Sequence, residues 1–343
     1  MRMRGFKFSH WIQCILCFVV LVWLSLGCAR SMAGELSNGP AIPVNVHLHV
    51  QEISNIDATE GTFILYYTLT YDWRENFGFD KQYLNSKATS FLNTIWEPKL
   101  HFANQAESPV IYEQSVITHK NGSIVVNQYG QVTLRADYYF KNFPFDTQNF
   151  PILITSPYEK VKLIDTGESL TLNETIKKNS WHLTGFNHSI ERVPNTFAQS
   201  KVSQLKVSIF MKRDELYYIT KMYVPLLTFI LITCAIFSYP DPDFRFKIPV
   251  LLTCLVLISL FSLRVFAEIP PVSYLTRLDH IIALSRLWLI TGFIYSLTIY
   301  LIRLSRKEET PDVLSRRKII IRCCFPLGYF FIWLFAVLKG ISL

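Results

Sequence analysis

The chain is short of charge. Only 17% of its 343 residues are charged, against about a quarter in ordinary soluble domains, while 50% are hydrophobic and 15% aromatic. The apolar residues gather at the extreme N-terminus and after residue 217, so the composition describes a membrane protein rather than one with a larger core. Cysteine is missing from the middle. Of seven cysteines, Cys14, Cys17 and Cys28 come early, and Cys234, Cys254, Cys323 and Cys324 come late, with none between residues 34 and 213. That region must fold without a disulfide. Cys323-Cys324 is a single pair inside an apolar run and does not make a metal site. No nucleophile–base pair or phosphate loop is present, and His101, His119, His182 and His188 lack ligand spacing. An enzyme reading has no residues to stand on, and no cofactor and no metal are expected.

Arg2, Arg4 and Lys7 precede the apolar run Trp11–Leu26, and Ser31-Met32-Ala33 supplies small residues at the spacing a signal peptidase reads. Residues 1–33 are expected to be a secretory signal, the alternative being an uncleaved anchor helix. Sequons at Asn121, Asn173 and Asn187 matter only in a host that glycosylates. The net charge is +8, and Arg303–Lys318 holds a cluster of bases, Arg303, Arg306, Lys307, Arg316, Arg317 and Lys318, against Glu308, Glu309 and Asp312, between two apolar runs. Short basic loops stay on the cytoplasmic side. With no basic-aromatic surface stretch, nucleic acid is not an expected partner.

Residues 34–213 read as an exported β domain. VNVHLHV (44–50), TFILYYTLTYDW (62–73), SIVVNQYGQVTL (123–134) and KVSQLKVSIFM (201–211) alternate or are β-branched and aromatic. Turn signals such as Lys120-Asn121-Gly122-Ser123 separate them. Many short strands without a helical period predict a β-sandwich or barrel. Residues 214–343 then carry four apolar spans, at about 218–237, 248–266, 281–302 and 319–339, each near the roughly 20 residues that cross a bilayer. An exported N-terminus leaves 240–247 and 303–318 inside and 268–279 outside. The second span holds Thr253, Ser259, Ser262 and Arg264. A charge in a span must face water or a partner, or snorkel to the interface.

The segment Lys141–Phe150, KNFPFDTQNF, places two phenylalanines around a proline with an acid behind them. Proline has no N–H for a strand ladder, so this is a turn with an apolar tip. Before it comes Ile95-Trp96-Glu97-Pro98-Lys99-Leu100-His101-Phe102-Ala103-Asn104, and after it come Trp181 and a proline in the first span, Pro225. In these motifs, W-x-P-x-L-x-F-x-N and F-P-F-D-x-Q in this order before four spans, the chain resembles the pentameric ligand-gated ion channels of the Cys-loop receptor superfamily, over about residues 43–343. The short cytoplasmic loop, and Ala136 and Phe150 at the positions of the loop's cysteines, resemble the prokaryotic branch.

The resemblance implies an extracellular or periplasmic β-sandwich on a four-helix transmembrane domain, assembled as a homopentamer in the cell membrane (the inner membrane in a bacterium). A small molecule or protons would be the agonist and monovalent ions the permeant species. A non-conducting ligand sensor of the same fold is the alternative. The turn Phe143, Pro144 and Phe145 would press on the linker at Pro270 and Pro271, with Asp146 paired to Arg213. Otherwise Asp146 caps its own turn. The second span would line the pore through Pro249, Thr253, Val256, Leu260, Leu263 and Ala267, and rings of Val256, Leu260 and Leu263 would gate by dewetting. Asp243 or Arg245 would set ion sign at the inner mouth; the prokaryotic branch favours cations, and a basic ring of Arg245 favours anions. His101, Tyr129, Tyr158 and Phe197 are the ligand-binding candidates. An aromatic box for an amine is not supported, because Ala103 and Pro157 occupy its positions, and Ile258 replaces the pore histidine of proton-gated relatives.

Overall fold

The structure is a computed structural model that describes residues 41–75, 78–167, 169–173, 181–195, 200–238, 244–267, 269–305, 328–332 and 334–335. The expected signal segment, Phe197, Asp243 and nearly all of the basic loop and the fourth span lie outside the described residues.

Strict alternation builds the first half. β1 (Ile42–Asp57), β2 (Thr62–Arg74), β3 (Lys81–Leu84), β5 (Val110–Thr118), β6 (Ser123–Arg135), β8 (Val161–Ile164) and β9 (Leu170–Leu172) form one sheet in the order β3-β5-β6-β2-β1-β8, with β9 also on β1. β4 (His101–Phe102), β7 (Thr147–Thr155), β10 (Trp181–Pro194) and β11 (Lys201–Arg213) form a second, ordered β10-β11-β7-β4. The expected strands at 44–50, 62–73, 123–134 and 201–211 are β1, β2, β6 and β11. Val44, Val46, Leu48 and Val50 of β1 and Phe63, Leu65, Tyr67, Leu69, Tyr71 and Trp73 of β2 point between the sheets and are buried. They meet Phe150, Ile152 and Ile154 of β7 and Leu205, Val207 and Ile209 of β11 in one apolar core. Period-two patterning makes this the packing of a sandwich. The expected turn after β5 is present: Gly122 has φ +82°, and a Cβ there would meet the Glu75 carbonyl oxygen at 2.5 Å. A short helix, α1 (Ser86–Leu92), packs Ala88 and Leu92 into the core.

β11 runs straight into α2 (Glu215–Tyr218), a π-helical turn (Ile219–Tyr223) and α3 (Val224–Ser238). Pro225 has no N–H to close an ordinary helical turn, which accounts for the wider turn ahead of it; Val224 N–H reaches back to Ile219. α4 (Phe244–Phe266) and α5 (Arg277–Ser305) follow. Among the described residues, three helical segments, Glu215–Phe237, Phe246–Val265 and Arg277–Thr298, are long and apolar enough to cross a membrane. α5 begins with a capping box: the Thr276 hydroxyl donates to Asp279 Oδ2 at 2.7 Å and Asp279 N–H donates to Thr276 Oγ1 at 3.2 Å. Tyr329, in the described part of the expected fourth span, stacks on Trp288 of α5 at 4.3 Å.

Candidate functional site

The junction between sandwich and helices is built around one ion pair. Antiparallel register sets Trp181 of β10 opposite Arg213 of β11, and Arg213 is the last residue before the chain turns into α2. β7 starts at Thr147, so Asp146 sits at the neighbouring strand's entrance. Arg213 Nε lies 3.2 Å from one Asp146 carboxylate oxygen and 3.3 Å from the other. Both side chains are buried, with Asp146 3% and Arg213 8% exposed. Gln148 Nε2 donates to Asp146, and the same amide bridges the backbone of Tyr139. The guanidinium lies 4.3 Å over the Trp181 ring and 5.3 Å from Phe143, and Nη1 donates to the Tyr218 hydroxyl at 3.1 Å. A dry cation is thus matched by a carboxylate, a phenol oxygen and aromatic faces. Asp146 is held by Arg213 and Gln148, not by a cap on its own turn alone.

Phe143 and Pro144 are buried and Phe145 is half-buried. Their ring contacts are with the first membrane helix: Phe143 meets Tyr218 edge-on at 5.3 Å, and Phe145 meets Tyr223 at 5.7 Å. The linker between α4 and α5 is reached a few residues earlier. Phe140 N–H donates to the Tyr274 hydroxyl at 2.9 Å, the Tyr139 ring lies 5.3 Å from that of Tyr274, and Arg277 N–H donates to the Lys141 carbonyl at 3.0 Å. Phe143 and Phe145 share one apolar cluster with Ile269 and Val272. Pro270 and Pro271 line a cleft of 470 Å³ with Ile269, Tyr274, Asp279 and Arg286.

α4 presents two faces. Leu251, Cys254, Ile258, Ser262 and Val265 are buried against the other helices. Pro249, Thr253, Val256, Leu260, Leu263 and Ala267 are all exposed on the single chain, Val256 by 50%, Leu260 by 58% and Leu263 by 64%. Thr253 bonds its own helix, donating to the Pro249 carbonyl at 2.8 Å. At the buried face Arg286 of α5 donates to the Ser262 hydroxyl, a tie between α4 and α5 that sequence reasoning missed. A charged residue inside the third span was the signal for it; its partner was visible only once the helices were packed. Arg264 is exposed. Arg245 lies in the first turn of α4, and Asp243 lies just outside the described residues.

The ligand-binding candidates separate into two groups. Tyr158 packs its ring 6.0 Å from Trp96, and Ser156 Oγ donates to the Pro98 carbonyl at 2.6 Å, which joins the loop after β7 to the W-E-P segment. Glu97 of that segment accepts from the buried Tyr71 hydroxyl at 2.7 Å; burial, then the Glu97 charge, push the Tyr71 phenol well above its usual pKa. His101 is exposed on β4 at the rim of the same sheet. Tyr129 lies on the other sheet, beside Tyr112 at 5.5 Å, in a polar hollow of 640 Å³ with Gln51, Thr68, Glu113 and Asn127. One chain does not bring His101 and Tyr158 together with Tyr129. The loop before β9 is tied to β10: His188 Nε2 is 3.0 Å from Asp165 Oδ2, and hydrogen bonds from Ser169 and Gly167, then the histidine, lower the Asp165 pKa.

A β-sandwich seated on apolar helices through a buried ion pair and an aromatic turn defines a membrane receptor. Residues 30–215 match the model of the neurotransmitter-gated ion-channel ligand binding domain, and the chain belongs to that family, within the Cys-loop superfamily of pentameric ligand-gated channels. Similar proteins include the serotonin-gated chloride channel mod-1 of Caenorhabditis elegans, 25% identical over 70% of this chain and 51% of its own length. The glutamate-gated chloride channel of Drosophila melanogaster is 24% identical over 71% of this chain and 55% of its own. Gamma-aminobutyric acid receptor subunit rho-1 of Mus musculus is 22% identical over 84% of this chain and 62% of its own. The chain thus spans between half and two thirds of the length of these relatives. It is a membrane protein with its ligand-binding domain outside.

Proposed function

We propose that the chain is one subunit of a homopentameric ligand-gated ion channel, with residues 34–213 as the outer domain, 214–343 as the membrane domain and 1–33 as the signal peptide. The observation that carries this is the uncovered face of α4. Five of its six stripe residues are apolar, in a chain whose outer domain belongs to the neurotransmitter-gated family. One helix cannot enclose a pore, but five copies would place Thr253 and the rings of Val256, Leu260 and Leu263 on a common axis. The two groups of ligand candidates suit the same assembly: His101 and Tyr158 on one subunit would meet Tyr129 on the next, leaving room for a small-molecule or proton agonist. Native mass of the detergent-solubilised protein should correspond to five chains. A monomer or dimer as the dominant species would contradict the proposal and favour a non-conducting sensor.

For the permeant ion we propose an anion. Residues 244–267 contain Arg245, Lys247 and Arg264 and no Asp or Glu, and two of the relatives are named chloride channels. Arg245→Glu should move the reversal potential toward cation selectivity in asymmetric salt, whereas Asp243→Asn should leave it in place. If Asp243→Asn shifts it and Arg245→Glu does not, the acid lines the inner mouth and the pore favours cations.

A further inference from the structure

The outer face of β1 carries a feature unrelated to the pore. Alternation sends Val44, Val46, Leu48 and Val50 into the core, so Asn45, His47, His49 and Gln51 share the opposite, half-buried face. The flanking polar residues are satisfied by one another: Asn45 donates to Asp72 at 2.9 Å, Gln51 to Thr68 at 3.0 Å and Thr70 to Asn127 at 2.7 Å. The two histidines turn the other way, toward β9, which runs parallel to β1 with His49 beside Thr171. His49 Nδ1 lies 2.7 Å from Thr171 Oγ1, and His47 Nε2 lies 3.4 Å from the same oxygen. Two imidazole nitrogens therefore converge on one hydroxyl, from residues that the strand's period places about 7 Å apart along one face.

Imidazole is a borderline base, suited to zinc, copper and nickel. Calcium and magnesium take oxygen shells instead. Nitrogen ligands bind zinc at about 2.0–2.1 Å, and two or three protein ligands with water in the remaining positions make an open, exchangeable site. Among the described residues no group of three or more His, Cys, Asp or Glu could hold a metal, so a closed structural centre is not on offer. Among the described residues, His47 and His49 are the pair whose ring nitrogens meet on one oxygen.

We propose that His47, His49 and Thr171 form an exchangeable site for a divalent transition-metal ion of the zinc class, with water completing the shell. Small rotations of the two rings and of the Thr171 side chain would exchange the His–Thr hydrogen bonds for bonds from both nitrogens and the hydroxyl oxygen to one shared ion. The bound ion would pin β9 to β1, stiffening the segment next to the loop that His188 ties to β10. This does not rest on the channel reading, because its test reads binding rather than current.

The test uses untagged full-length protein in detergent and zinc chloride alone as the probe. Histidine carbethoxylation by diethyl pyrocarbonate is followed by peptide mass spectrometry with and without zinc, alongside isothermal titration. The expected result is protection of His47 and His49 but not of His101, His119 or His182, and one equivalent of bound zinc per chain that is lost in both His47→Ala and His49→Ala. Thr171→Val, which keeps the strand's shape, should weaken binding at least several-fold while the protein elutes as the parent does. Equal labelling of His47 and His49 with and without zinc would overturn the site. So would an unchanged stoichiometry in the alanine variants, or rings that are unreactive even without metal because the assembly covers them.

Discussion

Arg213→Gln will cripple the response to agonist, Asp146→Asn will impair it less, and the double variant will be less impaired than the two losses combined. The ion pair is buried on both sides. Removing one partner of a buried pair leaves an uncompensated charge, at a cost of roughly 3–5 kcal/mol. In Arg213→Gln the orphan is the Asp146 carboxylate, left with Gln148 alone, and the stacking on Trp181 and the bond to Tyr218 go with it. In Asp146→Asn the guanidinium keeps its aromatic surroundings and the Tyr218 oxygen, and the new amide still meets Gln148. Groups in contact couple by about 0.5–3 kcal/mol, whereas distant ones add. Arg213→Lys should rescue only in part, because an ammonium keeps the charge but not the planar stacking over Trp181. The measurement is agonist or constitutive response per surface-expressed channel across the four-variant cycle. Strictly additive losses in channels that reach the membrane would mean that Asp146 and Arg213 act separately.

Leu260→Ser will leave the channel conducting without agonist. Leu260 sits mid-way along the uncovered stripe of α4, flanked one turn away by Val256 and Leu263. A constriction lined by apolar side chains sheds water and blocks ions with no steric plug. Moving one leucine side chain into an apolar environment is worth about 1.5–3 kcal/mol, and five copies act on one ring, so a hydroxyl there removes most of the dewetting barrier. Basal current should rise by an order of magnitude or more at matched expression. Ile258→Ser is the control: Ile258 is fully buried against the neighbouring helices, so it should cost stability and assembly and open nothing. Equal basal currents in Leu260→Ser and the parent would place the gate elsewhere.

Much of this was legible in the residues. Alternation in VNVHLHV and TFILYYTLTYDW specifies strands that show one face to a core, and β1 and β2 do so. The Asp146–Arg213 pairing was implied by the family resemblance, with capping of its own turn as the alternative. What period and motif could not supply was register and direction. Trp181 stood in the sequence without a role until antiparallel pairing set it under Arg213. Phe143 and Phe145 carried an apolar tip, and only the path of β11 into α2 decided that the tip would lie on Tyr218 and Tyr223 while Phe140 and Lys141 took the linker. Gln148 looked like a turn residue and is the second hand on Asp146. The tie from Arg286 to Ser262 joins helices whose packing angle the residues do not state. The stripe on α4 was readable once the resemblance had singled out the second span, because a helix repeats every 3.6 residues.

The measurement that bears most directly on the pore is thiol accessibility along α4 in the conducting Leu260→Ser background, which requires no agonist. Single cysteines are placed from Pro249 to Ala267, and a charged thiosulfonate reagent is applied while current is recorded. A pore lined by this helix predicts that modification at Thr253, Val256 and Leu263 blocks current, and that Leu251, Ile258 and Val265, buried against the neighbouring helices, stay silent. Block without helical phase, or unmodified current at all three stripe positions, would contradict a pore lined by this face.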